Sequence, residues 1–318
     1  MLLNIGDLVK NRRLELGLTQ AQVAEGICSR ETISQLENNK TLPQLFVIDK
    51  VLDKLTINAD TLLTLPSSKQ DIYSLKKQSE IHEHMYMAEK YPAEGGKSLK
   101  DALESLSNDN NIDEQYKNFL LDFGYTHLYI YSETDRNIAL GEARALGFLS
   151  KYRPHFDFAM LDTYYLTSFE LNMINRLSYL YRLKNEPDTA IYILDKIKTF
   201  QEKNQLNRDL RGFRPIFIST IMHLADTYLV SNRFEAAITL VNAYYPQLKE
   251  HDSLRLVMKM LYVHCLALLN LGRKTEGTNI FNKICLLHDT TDNLFIQLDP
   301  KRPDVNEWIA YVKHTYGI

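Results

Sequence analysis

Apolar residues recur at helical spacing along almost the whole chain, and no stretch alternates with the two-residue period of a half-buried strand. The pattern predicts an all-α protein. At the start, Ile5, Val9, Arg13 and Leu16 lie one helical repeat apart and Gly17 supplies a stop, which predicts a helix from Asn4 to Leu16. Thr19 and Gln22 then form a T-x-x-Q capping box, and Val23, Ala24 and Ile27 share one face of the helix it starts. Gly26 loosens that helix's end, Cys28 and Ser29 make a turn, and Ser29 caps a further helix whose inward residues are Ile33 and Leu36. Pro43 is expected to open a fourth helix carrying Leu45, Ile48, Val51, Leu52 and Leu55, and Asn58 to cap a fifth presenting Leu62 and Leu63. The prediction is a small five-helix domain over 1–65 with a helix-turn-helix at its centre.

Pro66 to Gln70 is a polar break. A linker helix is expected after it, with Ile72, Leu75, Ile81, Met85, Met87 and Ala88 loosely in phase, ending at the Tyr91–Gly96 stretch, so that 66–97 forms a linker region. From 98 to 318 the helical pattern repeats. The segments beginning at Leu177, Leu224 and His264 superpose: a small residue comes next (Ser178, Ala225, Cys265) and a bulky one soon after (Tyr181, Tyr228, Leu268). A turn residue follows at Asn185, Asn232 and Gly272, then a small residue at Ala190, Ala237 and Gly277, then a large one at Leu194, Val241 and Phe281. That is the logic of tetratricopeptide repeats, in which small residues let paired helices approach and large ones fill the space between repeats. The spacing between copies exceeds the usual ~34 residues, so the repeats are degenerate. A weaker copy is expected over Phe123 to Leu149, with Ala139 as its small residue.

Composition narrows the function. The chain has 318 residues, 45% of them apolar, 24% charged, and a net charge of −3, values of an ordinary globular protein rather than a nucleic-acid coat. Cys28, Cys265 and Cys285 show no metal or disulfide spacing, and no long apolar run follows a basic start, so a cytoplasmic protein that neither spans nor binds a membrane is expected. The His82–Met85 sequence HEHM is not a zinc motif, because histidines two apart do not share a helix face, and solvated histidines are expected there. No phosphate loop, nucleophile elbow or metal spacing occurs, so neither an enzyme nor a cofactor is expected.

The chemistry lies on the helix after Ser29. Its outward residues are Arg30, Glu31, Thr32, Ser34 and Gln35, long or hydroxylated side chains near a helix N-terminus, as base reading in a major groove requires. Lys10, Arg12, Arg30 and Lys40 are the available cations, and Gln20 and Lys40 are placed to contact phosphates on either side. Thr19, Gln20, Val23, Ala24, Ile27, Ile33, Ser34, Glu37 and Pro43 reproduce a pattern that resembles the Cro/repressor-like helix-turn-helix group. The resemblance implies a structural ion pair between Arg13 and Glu37, and binding to a palindromic double-stranded DNA operator as a homodimer.

Joined to degenerate tetratricopeptide repeats, such a head resembles the RRNPP group of peptide-responsive regulators (Rgg-, PlcR- and PrgX-like proteins). That resemblance implies a transcription regulator controlled by a short linear signalling peptide bound in the repeat domain. The first helix of each repeat lines the concave face in such domains, which selects Asn172, Asn175, Arg176 and Tyr179, then Met222, His223 and Asp226, then Lys259 and Tyr262 as candidate peptide-binding residues. Alanine at Asn175 or Arg176 is expected to abolish a peptide response and leave stability nearly unchanged. The alternative is a phage- or plasmid-type repressor whose repeats only dimerise or bind a protein partner.

Overall fold

The structure is a computed structural model that describes residues 5–57, 69–153, 155–164, 166–203, 213–251, 254–289 and 305–318. Every regular element among them is helical. The head comprises α1 (Ile5–Glu15), α2 (Gln20–Ala24), α3 (Arg30–Glu37) and α4 (Leu45–Lys54). There follow α5 (Lys69–Lys90), α6 (Glu94–Ser107), α7 (Glu114–Tyr131), α8 (Ile138–Tyr152), a 3-10 turn (Phe158–Thr163) and α9 (Ser168–Leu183). The remainder is α10 (Pro187–Lys203), α11 (Phe213–Val230), α12 (Phe234–His251), α13 (Leu254–Asn270), α14 (Lys274–Asp289) and α15 (Val305–Tyr316). The chain divides into two compact units, Met1–Glu186 with Thr199–Phe217, and Pro187–Lys198 with Ile218–Ile318. Among the described residues no helix is long and apolar enough to cross a membrane.

In the head, Ile5, Val9, Leu18, Val23, Ala24, Ile33, Leu36, Ile48, Val51, Leu52 and Leu55 form one buried cluster, with Ile27 partly buried against it; Leu16, expected on the inward stripe, is instead exposed just past the end of α1 at Glu15. At Gly6 a β-carbon would stand 2.2 Å from the Leu36 carbonyl oxygen, so the approach of α1 to α3 depends on the missing side chain. Pro43 does not open α4: it precedes the cap residue Gln44, which makes no side-chain capping bond. The expected fifth helix, with Asn58, Leu62, Leu63 and Leu65, lies outside the described residues, as do Pro66–Ser68. Met87 faces outward on α5, whereas Ile81, Met85 and Ala88 are buried. Helix α5 ends at Lys90, but Glu94–Gly96 start α6 rather than forming a terminating loop. The reason is packing: a β-carbon on Gly95 would meet the Met87 carbonyl at 2.2 Å, so these glycines admit a close neighbour.

The repeats share one turn design. Asn185, Asn232 and Gly272 all have positive φ, at 62°, 58° and 74°. In each, the next residue donates its N–H back to a carbonyl five residues upstream: Glu186 to Tyr181 at 2.9 Å, Arg233 to Tyr228 at 2.8 Å and Arg273 to Leu268 at 2.9 Å. These are Schellman caps, with Asn or Gly at the left-handed position. The small residues Ser178, Ala225, Cys265, Ala190 and Ala237 are buried, as are the large Leu194, Val241 and Phe281. Between α13 and α14 a β-carbon on Gly277 would lie 2.6 Å from Leu269, so this pair of helices needs a glycine there. The weaker copy, α7–α8, differs from expectation in one residue. Ala139 is exposed, and the close-packed small residue is Gly141, whose β-carbon would meet Leu180 at 3.3 Å.

Candidate nucleic-acid interface and repeat face

The helix-turn-helix is held at both of its helix starts. Thr19 Oγ1 accepts the Gln22 N–H at 3.2 Å while Gln22 Oε1 accepts the Thr19 N–H at 2.8 Å, completing the capping box. Gly26 takes φ 75° between the helices, and Ser29 Oγ accepts the Thr32 N–H at 3.1 Å. Beneath, Arg13 and Glu37 form a buried fork: Nε to Oε1 at 2.5 Å and Nη2 to Oε2 at 2.8 Å, with Nη1 donating to the Leu18 carbonyl at 2.8 Å. Gln20 Nε2 also donates to Glu37, at 2.8 Å, so its amide belongs to this network. Burial works to raise the Glu37 pKa, but the hydrogen bonds from Arg13 and Gln20 and the Arg13 charge outweigh it and hold the carboxyl below its ordinary value.

On the outer face of α3, Arg30 and Glu31 are exposed and Thr32, Ser34 and Gln35 are half-exposed. Gln35 Oε1 accepts the Thr41 hydroxyl at 2.8 Å, which orients the amide along the helix surface. Lys40 is exposed just beyond the helix, preceded by exposed Asn38 and Asn39. Those two asparagines escaped the sequence argument, although a polar pair after a helix is a visible signal. Arg12 is not a free cation. It donates to the Leu55 carbonyl at 3.2 Å and to Thr56 Oγ1 at 2.9 Å, closing the C-terminus of α4.

The candidate groove residues behave differently. Helix α9 carries Asn172, Asn175, Arg176 and Tyr179. Asn175 is buried, and its Nδ2 lies 3.4 Å from the Ile216 carbonyl oxygen. Arg176 lies with its guanidinium carbon 3.9 Å from the centre of the Phe123 ring and donates to the Phe123 carbonyl at 3.0 Å, and burial lowers its pKa to about 10. Tyr179 stacks on Tyr131 with ring centres 5.5 Å apart. Replacing Asn175 or Arg176 therefore disturbs packing, contrary to the expectation of unchanged stability. In the second unit Met222 and Tyr262 are buried, Tyr262 against Trp308 at 5.5 Å, while His223, Asp226 and Lys259 are half-buried. His82 is not solvated either. It stacks near Phe169 at 6.4 Å and meets Phe123 edge-on at 6.1 Å, and burial, with the charges of Arg176 and Lys50, lowers its pKa to about 4.

The charged residues of α4 form a contact that the apolar periodicity of the helix did not indicate. Lys50 is buried, with Nζ 3.7 Å from the Phe119 ring centre and 3.3 Å from that of Phe169. Asp53 accepts the Ser168 N–H at 2.6 Å. Burial lowers the Lys50 pKa and raises that of Asp53. Among the described residues no group of His, Cys, Asp or Glu is arranged to hold a metal ion.

The class follows from this geometry: an all-α chain with a helix-turn-helix head and helical repeats. Residues 9–62 match the family model described as Helix-turn-helix. Among solved structures, Bacillus thuringiensis PlcR in complex with the peptide PapR7 and DNA is similar over 98% of both chains, at 15% identity and a TM-score of 0.53. The apo form of the competence regulator ComR from Streptococcus vestibularis matches over 99% of this chain and 98% of its own, at 14% identity and a TM-score of 0.52. The likeness is one of fold. A comparison with curated proteins finds no match.

Proposed function

We propose that this chain is a sequence-specific, DNA-binding transcription regulator and not an enzyme, acting in the cytoplasm as a homodimer on a palindromic operator. On this reading residues 1–65 are the DNA-binding head, 66–97 a linker region, and 98–318 the domain that binds a short signalling peptide and dimerises. The observation that carries it is the outer face of α3. A helix capped at its first turn and braced from behind by the Arg13–Glu37 fork presents Arg30, Glu31, Thr32, Ser34 and Gln35 outward on a rigid frame, the arrangement that base reading by a helix N-terminal half requires. Lys40 flanks it as a phosphate contact, and so does Gln20 through the second N–H of its amide, the first being given to Glu37. The peptide reading is supported by the fold shared with PlcR, whose structure holds a peptide and DNA, and by the repeats, whose extended faces suit linear ligands.

The reading of the repeats as only a dimerisation or protein-binding platform keeps one observation in its favour. Asn175, Arg176 and Tyr179 already have partners inside the first unit. Selection from a pool of random duplexes, together with mass spectrometry of ligand retained by protein purified from its native host, tests both. The expected result is a palindrome with half-sites about 34–36 Å apart or a multiple of it, and a retained short peptide. Recovery of a single asymmetric half-site by a monomer would count against the dimer, and an empty repeat domain against the peptide.

A further inference from the structure

Helices α5 and α6 hold a cleft between them that neither the DNA-reading face nor the repeat face uses. From α5 it is lined by Lys77, Glu80, Ile81 and His84, spaced as one helix face, and from α6 by Ala102, Ser105 and Leu106. Its volume is about 160 Å³. One water takes ~30 Å³ and drug-sized ligands fill pockets of roughly 300 Å³ or more, so the cleft suits a small metabolite.

The lining divides into an apolar floor and a charged rim. Ile81 and Leu106 are buried, and Ala102, with the shortest side chain of the lining, leaves the space open. At the rim Lys77 Nζ donates to Glu80 Oε2 at 2.7 Å, and both side chains are partly open to solvent. That bond uses one of the three N–H groups of Lys77 and one oxygen of Glu80, and neither makes another hydrogen bond among the described residues. It also raises the Lys77 pKa and lowers that of Glu80, so both groups are charged at neutral pH. His84, the second histidine of the HEHM segment, is held at Nδ1 by Ser98 Oγ at 3.0 Å, which leaves Nε2 for a further partner.

We propose that the α5–α6 cleft binds a free aliphatic α-amino acid, its carboxylate on Lys77, its ammonium on Glu80 and its side chain on Ile81, Ala102 and Leu106. The two charged groups of such a ligand are bonded to the same carbon, so they can lie antiparallel to the Lys77–Glu80 pair in two charge-assisted contacts. A peptide carries only one of the two groups at each end and matches half of the rim. The ligand bridges α5 to α6 and gives the protein an input separate from any peptide, because none of the candidate DNA- or peptide-binding residues lies on these two helices. The site stands whether or not the chain binds DNA.

Calorimetry on the full-length chain tests it, with L-leucine as the probe. L-leucine should bind with a Kd of about 1 mM or tighter. Leucinamide, which lacks the carboxylate, and N-acetyl-leucine, which lacks the ammonium, should each bind about tenfold more weakly, the factor expected for one charge-assisted hydrogen bond. Ala102→Leu fills the cleft without touching the charges and should abolish binding at an unchanged melting temperature. Glu80→Gln should weaken leucine about tenfold, and it decides the matter if Ala102→Leu melts early. Hydrogen exchange with leucine at saturation should slow about threefold in peptides covering 77–84 and 98–106 and stay the same in α13. No binding of L-leucine, L-isoleucine or L-valine at millimolar concentration overturns the site. Equal affinity for leucinamide and N-acetyl-leucine overturns the pairing with Lys77 and Glu80, as does undiminished affinity in Glu80→Gln. Protection that appears outside α5 and α6 alone places the ligand elsewhere and overturns the cleft.

Discussion

Helices α3 and α9 carry similar side chains and use them in opposite ways. Both present amide and guanidinium groups on one face. On α3 that face meets solvent, and the bracing lies behind it in the Arg13–Glu37 fork. On α9 the same chemistry is consumed locally: Asn175 reaches toward the Ile216 carbonyl, and Arg176 lies on Phe123 and binds its carbonyl. A polar stripe is thus a recognition surface only where no neighbouring element is within reach. Sequence supplies the stripe, and tertiary packing decides its meaning.

The largest effect that would sharpen this contrast comes from removing one partner of the buried fork. Glu37→Ala leaves Arg13 buried and uncompensated, and should cost about 3–5 kcal/mol of head stability, read by thermal unfolding. A loss under about 1 kcal/mol would mean that the pair behaves as a surface ion pair. Acid separates the two regions next. The His82 pKa is depressed to about 4 from 6.5, so its neutral form favours the folded state. That contribution is complete above pH 6.5 and is lost as pH falls from there toward 4, on the order of 3 kcal/mol. Glu37, held below its ordinary value, contributes fully above the ordinary carboxylate range and loses that contribution as pH falls from there through its lowered value. A histidine resonance assigned to His82 that titrates near 6.5 would place the ring in water. Arg176→Ala should then destabilise the first unit by about 2 kcal/mol through the lost ring contact and hydrogen bond. An unchanged melting curve would restore it as a free ligand contact.

How much of this could be read from sequence divides along the same line. The Thr19–Gln22 capping box, the Schellman turns at Asn185, Asn232 and Gly272 and most of the head core are local or periodic features, and local chemistry writes them plainly. Gly141 was missed in favour of Ala139 because the α7–α8 turn lacks the left-handed residue that set the register in the other copies. His82, Lys50 and Asp53 were missed for a different reason: each is buried by a helix distant in sequence, and a polar residue at helical spacing carries no mark of what will cover it. The exposed face of α3 was legible because no described residue distant in sequence covers it.

On that face the expected effects are smaller and concern discrimination rather than stability. Arg30→Ala and Gln35→Ala should each lose about 1–3 kcal/mol of preference for the selected duplex over its single-base variants. Gln35 must give up the Thr41 hydroxyl to reach a base, so its loss should lie at the lower end. Unchanged preference in the double variant would return α3 to the class of merely solvated helices.

Lys40 should give the smallest change and the clearest distinction. It stands just past the end of α3, where only its backbone is fixed, its N–H donating to the Gln35 carbonyl at 2.9 Å. A long, exposed ammonium in that place can follow a phosphate but cannot hold the fixed geometry that base reading needs. Lys40→Ala should therefore weaken binding to every duplex alike, by about threefold at moderate salt, and reduce the slope of log affinity against log salt by about one. Titrations at several salt concentrations, on the selected duplex and on a scrambled one, separate the two roles. If the variant instead loses affinity for the selected duplex alone, with the salt slope unchanged, Lys40 reads a base, and the reading surface extends past the end of α3 to include Asn38 and Asn39.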